Sequence, residues 1–291
     1  MIPIRSFLFV PGNRESWIDK VPGYGADAVI LDLEDSVPAA SKAEARVLVG
    51  NKIAWLADQN ERVYVRVNRS PHLYDFDDLL AVCRDGLEGI VMSKPGGPED
   101  MHLIDAQIAE AEMRNGLEVG SLVVVPTLET ARSIQLAYDL AIHPRTSAIC
   151  GPSAKNGDVA RAVGFRWTAG GRETLYMKSR VVIAARAAGK QPMGGLWQQV
   201  HDLDGHRAAS DLDRDLGMTG EMILHPAAVP VVNAVYSPSP EDVAYYQGMI
   251  EAFDAGVAEG RAAVVYDGEH IDLAHVKTAR EMVELARSLA Q

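Results

Sequence analysis

Acidic side chains gather where apolar runs end in this chain. The stretch DAVILDLED at 27–35 closes with Asp32, Glu34 and Asp35 inside four residues. Carboxylates this close repel one another, so the cluster is either a solvated strand end or the mouth of an acidic site. Glu129 closes SLVVVPTLE, Asp158 follows the apolar segment TSAICG, and Arg66 stands near the end of RVYVRVN. A hard divalent cation such as Mg2+ is usually held by one or two carboxylates together with waters and substrate oxygens. A guanidinium grips a carboxylate through two parallel hydrogen bonds. One such cation and one arginine make a receptor for a 2-oxo acid. The metal chelates the carbonyl and one carboxylate oxygen, and the arginine takes the carboxylate.

Each residue also has a plainer reading. Asp158 lies just before a helical stretch and suits an N-cap. Glu129 suits the start of the helix after its strand, where negative charge is favoured. Asp32 and Glu34 suit ion pairs with Lys42 and Arg46 on the next helix, and Arg5 and Arg66 suit salt bridges within the fold. For Asp35 and Lys42 the structural role outweighs the catalytic one.

These residues need elements to position them. Strand-like segments begin at 5 (RSFLFV), 27 (DAVILDLE), 62 (RVYVRVN), 89 (GIVMSKP), 121 (SLVVVPTLE), 146 (TSAICG), 192 (PMGGLW) and 221 (EMILHP). Helical stretches such as SKAEARVLVGNKIAWLADQ and GRETLYMKSRVVIAARAAG lie between them. Strands alternating with helices read as βαβ units and a parallel sheet. Eight units fit an α/β fold of the (β/α)8 TIM-barrel type, with a doubly wound open sheet as the rival. Side chains alternate faces along a strand. Val29, Leu31 and Leu33 then share one face, and Ala28, Ile30, Asp32 and Glu34 the other. Tyr64, Arg66 and Asn68 share a face, as do Val123, Val125, Thr127 and Glu129. One face is aliphatic and the other turns polar toward the C-terminal end, as expected of a barrel whose inward residues become chemical at its mouth. About 65 residues follow strand eight. They read as a C-terminal helical and hairpin extension. VVYDGEHID holds an Asp-Gly hairpin turn, and LAHVKTAREMVELARSLA is an amphipathic helix. SPSPEDV marks the boundary, giving a catalytic domain over 1–236 and an extension over 237–291.

Composition narrows the function further. The chain has 291 residues, 47% hydrophobic, with a formal net charge of −12. Nothing offers the basic face that a nucleic-acid backbone needs. No apolar run is long enough to span a membrane, and the N-terminal residues read as a first strand rather than a signal peptide. Cys83 and Cys150 sit in apolar surroundings and read as buried thiols in a reducing, cytoplasmic compartment. His201 and His206 are spaced for neither a helical metal pair nor a finger motif, and they read as structural. His225 reads as closing the barrel, and the basic residues around 166–180 as a solvated helix face.

Taken together, RSFLFVPGN, DAVILDLEDSVPAASKAEAR and VRVN resemble the citrate lyase β-subunit-like family. That family includes malyl-CoA and citramalyl-CoA lyases and lies within the HpcH/HpaI aldolase superfamily. PTLET, GDVARAVG, GEMILHP and YDGEHIDLAHVKTARE resemble its later blocks in order, so the resemblance covers nearly the whole chain. It implies a TIM barrel with a C-terminal extension that acts as a lid packing on a neighbouring subunit, assembled as a homotrimer or hexamer. It also implies Mg2+ on Glu129 and Asp158, a substrate carboxylate on Arg66, and Arg5 near substrate. Glu34 and Asp35 take the place of the acidic pair that supports metal-bound water. Asp272 takes the place of an acid/base reaching a neighbouring subunit's site, although an Asp directly before a helix is also a good N-cap. The sequence departs from the family between Gly151 and Asp158, where GPSAKNGD lengthens the loop and puts the position of Asp158 in question. Cys150 stands where many relatives carry an aromatic residue.

The activity implied is Claisen-type cleavage of a 3-hydroxyacyl-CoA to acetyl-CoA and a 2-oxo acid. Rival readings are a citrate lyase β-like subunit acting on a carrier-protein thioester, a malyl-CoA thioesterase, a CoA-independent aldolase, and a non-catalytic binding protein on the same scaffold.

Overall fold

The computed structural model describes residues 3–151 and 153–290. Eight strands alternate with helices along the first part of the chain. They are β1 (Ser6–Pro11), β2 (Ala28–Asp32), β3 (Val63–Arg66), β4 (Leu87–Met92), β5 (Val123–Pro126), β6 (Ala148–Cys150), β7 (Gln191–Met193) and β8 (Glu221–Ile223). One parallel sheet has the order β5-β4-β3-β2-β1-β8, and β6 pairs with β7. Isolated parallel bridges join Val124 to Thr146, Thr127 to Cys150 and Gly194 to Glu221. The parallel α/β architecture read from the sequence is present, with six of the eight strands in one continuous sheet.

The alternation of side chains gives this sheet its two faces. Phe7, Ile30, Tyr64, Val125, Cys150 and Met222 belong to one buried cluster. Their neighbours Leu8, Val29, Val63, Val65, Val124 and Ile223 are buried as well, so both faces are covered, as a parallel sheet requires. The helix Lys42–Asp58 lies against β3 and β4. It buries Ala45, Val49, Ile53 and Leu56, whose spacing of four, four and three residues makes one helical face.

Register brings the chemistry to one end. Pro11 lies opposite Asp32, Asp32 opposite Arg66, and Arg66 opposite Val91. The C-terminal ends of β1 to β4 are therefore level. Gly12 closes this end: its amide donates to the Asp32 carbonyl at 2.8 Å. A Cβ there would stand 2.7 Å from that carbonyl and 2.8 Å from Val49 Cγ2. Gly12→Ala is expected to push β1 away from β2 and lower stability by about 1–3 kcal/mol, the usual cost of overpacking. A urea denaturation curve checks it, and an unchanged midpoint contradicts it.

The chain divides into two compact units, Pro3–Asn233 and residues 234–290. The second holds the helix Pro240–Ala258, an antiparallel hairpin of β9 (Ala263–Tyr266) and β10 (Glu269–Asp272), and the helix Leu273–Leu289. Ser239 caps the first of these helices by accepting from the Asp242 amide, with Pro240 in its first turn. The hairpin turns at Asp267 and Gly268, both at positive φ (48° and 80°), the geometry for which Asp-Gly is suited. Met249, Phe253, Val264, Ile271, Val276 and Ala279 form this unit's own core. Among the described residues no helix is long and apolar enough to cross a membrane.

Candidate active site

Asp32 and Arg66 form the centre of the mouth. Arg66 Nε donates to Asp32 Oδ1 and Nη2 to Oδ2, both at 2.7 Å. Asp32 also accepts from the amides of Glu34 at 3.0 Å and Ser36 at 3.1 Å. It therefore aims the guanidinium and shapes the turn after β2 together. Burial alone pushes the Asp32 carboxyl up; Arg66, Ser36 and the Glu34 amide more than reverse this and hold it below the usual carboxylate range. The face of Phe9 lies 4.7 Å from the Arg66 guanidinium carbon, and Arg66 Nη1 faces Glu34 Oε2 at 3.1 Å. The crowding of Asp32, Glu34 and Asp35 is thus an acidic mouth with its own cations.

The second of those cations is Lys94, just past β4, which the sequence reading passed over. Its Nζ donates to Glu34 Oε1 at 2.7 Å and Asp35 Oδ2 at 2.8 Å, and lies 3.6 Å from Asp158 Oδ2. Its signal was positional: it follows the C-terminal end of β4 much as Glu34 follows β2. The ion pairs that sequence offered to Asp32 and Glu34 do not form. Lys42 donates instead to the Leu33 and Glu34 carbonyls, at 3.2 and 3.0 Å, and to Asn68. Arg46 binds Asp78 and Asp75.

Glu129 faces the same mouth from beyond β5. Its Oε2 is sealed from solvent and has no hydrogen-bond partner. Burial pushes its carboxyl up to about 7; Arg66 and Lys94 oppose the rise, and Glu34 and Asp158 add to it. Asp158 is the first residue of the helix Asp158–Val163, whose N-cap is Gly157, so the capping role is not its own. It pairs with Arg161 at the rim and approaches Lys94. The long loop after β6 therefore leaves Asp158 among the mouth residues. A half-buried carboxylate with one sealed oxygen that no donor reaches, near a second carboxylate, suits a hard oxygen-seeking cation such as Mg2+. Among the described residues no three acidic, imidazole or thiol side chains converge in ready-made coordination geometry. Mg2+ needs only one or two carboxylates and completes its shell with water.

Beside Arg66 and Asp32 opens an apolar cavity of about 390 Å3, with Phe9, Pro11, Trp17, Leu196, Leu224 and His225 in its wall. His225 stands in that wall, its Nδ1 accepting from the Ala227 amide. This lining depends on β1, β7 and β8 coming together, which no local pattern announces.

Arg5 requires a correction. It precedes β1, and its guanidinium and amide bind Asp27, which precedes β2. Both lie at the N-terminal ends of their strands, with the whole of β1 between Arg5 and the mouth. A parallel strand carries its preceding residue to the end away from the chemistry, so Arg5 is a structural ion pair. Asp272 lies in the second compact unit. It caps the helix Leu273–Leu289, accepting from the Ala274 amide at 2.9 Å. Its Oδ1 lies 2.7 Å from His275 Nδ1, and bonds from His275 and Ala274 hold the carboxyl below its usual range. His206 is buried against Glu221 at 2.5 Å, and Cys83 and Cys150 are buried and free.

Parallel strands with a carboxylate-lined, arginine-bearing mouth at their C-terminal ends put the candidate site where α/β enzymes carry theirs. The chain belongs to the HpcH/HpaI aldolase/citrate lyase family, whose sequence profile matches residues 5–226; it is an enzyme of this lyase and aldolase type. It is 32% identical to an L-malyl-CoA/beta-methylmalyl-CoA lyase of Cereibacter sphaeroides over 99% of this chain and 96% of the relative. It is 30% identical to a (3S)-malyl-CoA thioesterase of the same species, with the same coverage. A citrate lyase from Burkholderia xenovorans superposes with a TM-score of 0.85 at 18% identity, covering 100% of this chain and 93% of that one. CitE of Mycobacterium tuberculosis, crystallised with magnesium, acetoacetate and coenzyme A, superposes with a TM-score of 0.73 at 24% identity, covering 97% of each chain.

Proposed function

We propose that this chain is a Mg2+-dependent carbon–carbon lyase that splits a 3-hydroxyacyl-CoA, such as malyl-CoA or citramalyl-CoA, into acetyl-CoA and a 2-oxo acid. The carrying observation is the pairing of Arg66, aimed by Asp32, with the sealed and unpartnered carboxylate oxygen of Glu129. The scaffold is read as a (β/α)8 barrel, its ring completed through the bridges that flank β6 and β7. Residues 1–236 are the catalytic domain. Residues 237–291 are a lid given to a neighbouring copy in a trimer or hexamer.

Arg66 binds the carboxylate next to the hydroxyl-bearing carbon and so fixes which bond is aligned to break. Glu129 and Asp158 hold Mg2+, which when bound supplies positive charge where the hydroxyl oxygen becomes a carbonyl. Glu34 and Asp35, tethered by Lys94, order the water and hydroxyl protons at the mouth. The apolar cavity beside Arg66 takes the thioester side and keeps water from the departing enolate. Asp272, charged in its cap, is the base for acetyl-CoA in the condensation direction and the route for the proton in cleavage. The malyl-CoA thioesterase relative supports a second outcome at the same site: water enters after condensation and hydrolyses the thioester.

Product analysis tests the reading. Pure chain incubated with malyl-CoA or citramalyl-CoA and Mg2+ is expected to release acetyl-CoA with glyoxylate or pyruvate, and a chelator is expected to stop it. Free CoA with malate or citramalate would assign the thioesterase outcome. No turnover of either thioester by folded protein would turn the assignment toward a carrier-protein substrate.

A further inference from the structure

Lys94 is built into the mouth with more care than a surface lysine needs. Its backbone is left-handed, with φ at 50°, a conformation that a side-chain-bearing residue keeps only when its surroundings impose it. The surroundings do so. Arg69 donates to the Lys94 carbonyl, and the Tyr74 hydroxyl donates to the Ser93 carbonyl at 3.0 Å. Asp100 holds Arg69 at 2.8 Å and accepts from the Gly96 amide at 2.7 Å. This clamp aims the ammonium across the mouth, onto Glu34, Asp35 and Asp158. Those carboxylates come from the segments after β2 and β6, so one lysine ties together separate parts of the site.

Lys94 thus sets its ammonium 2.7 and 2.8 Å from Glu34 and Asp35 and 3.6 Å from Asp158, the carboxylate assigned to the metal. A divalent cation on Asp158 would sit within a few ångströms of Nζ, where like charges oppose each other strongly. We propose that Lys94 is an internal counter-cation: it holds the mouth carboxylates together in the metal-free chain, yields Asp158 as Mg2+ binds, and so sets metal affinity low. It is a positioning residue acting through Asp158, and the proposal rests on the metal reading given above.

The test uses the full chain, Mn2+ as the probe, and Lys94→Met and Lys94→Arg. Free Mn2+ is followed by electron paramagnetic resonance, and melting temperature is measured with and without the ion. Lys94→Met is expected to bind Mn2+ about tenfold more tightly than wild type, because a repelling charge is gone. Its metal-free melting temperature is expected to fall and its metal-induced rise to exceed that of wild type, as linkage requires of a tighter ligand. Lys94→Arg keeps the charge and is expected to bind within about twofold of wild type. A merely structural lysine would lower both melting temperatures equally and leave affinity equal or weaker, and that result overturns the proposal. Folded wild-type chain that binds no Mn2+ at millimolar concentration overturns the metal reading itself, and the proposal with it.

Discussion

Arg66→Met is expected to lower kcat/KM for the cleaved thioester by about a thousandfold or more, the scale lost with a principal charge-stabilising donor. The variant removes the group that fixes the substrate carboxylate. It also strands Asp32, which is 1% exposed and otherwise doubly bonded to the guanidinium. Breaking a buried ion pair by removing one partner costs about 3–5 kcal/mol. The two losses separate in the double variant. Asp32→Asn with Arg66→Met removes the stranded charge, so stability is expected to recover in part while activity stays lost. Arg66→Lys keeps the charge but not the fork, so it is expected to recover stability more than activity. Steady-state rates and urea midpoints on the same preparations check all three. An Arg66→Met enzyme with near-normal kcat/KM would remove the residue from the site.

Glu129→Gln is expected to abolish metal-dependent turnover, with a loss of at least about a hundredfold. Its signature lies in the stability. The Glu129 carboxylate has an oxygen that is sealed and unpartnered, and it shares the mouth with the negative Glu34 and Asp158. Replacing it by a neutral isostere removes a charge that burial opposes and that Arg66 and Lys94 offset only in part. In chelator at pH 8 the variant is therefore expected to melt at or above the wild-type temperature. With Mg2+ added, the wild type is expected to gain stability and the variant to gain little. A variant that loses stability in chelator and keeps its Mg2+ response would show that Glu129 is a structural acid and the metal sits elsewhere.

What was legible in the sequence was whatever period two controls. Alternation along a strand placed Ile30 on one face with Asp32, and Tyr64 with Arg66, each face turning polar at its C-terminal end. The hairpin at Asp267 and Gly268 was legible because few residue pairs accept two positive φ angles. Three features depended on what alternation does not encode. The polarity of a strand relative to the mouth decides Arg5, which precedes β1 and so lies at the wrong end. Backbone strain decides Lys94, since a lysine after an apolar run looks like any solvated one until its left-handed φ and its clamp are seen. Ring neighbours decide the cavity, because Leu196 and Leu224 meet Phe9 only when strands far apart in sequence come together. The longer loop before Asp158 was visible as an insertion, but only geometry puts its end beside Lys94.

The most direct test of the central claim is anomalous diffraction from a crystal soaked in Mn2+ and pyruvate. The account predicts one Mn2+ peak bonded to Glu129 and Asp158, with the pyruvate carboxylate on Arg66. A peak at other residues, or pyruvate bound away from Arg66, would contradict it.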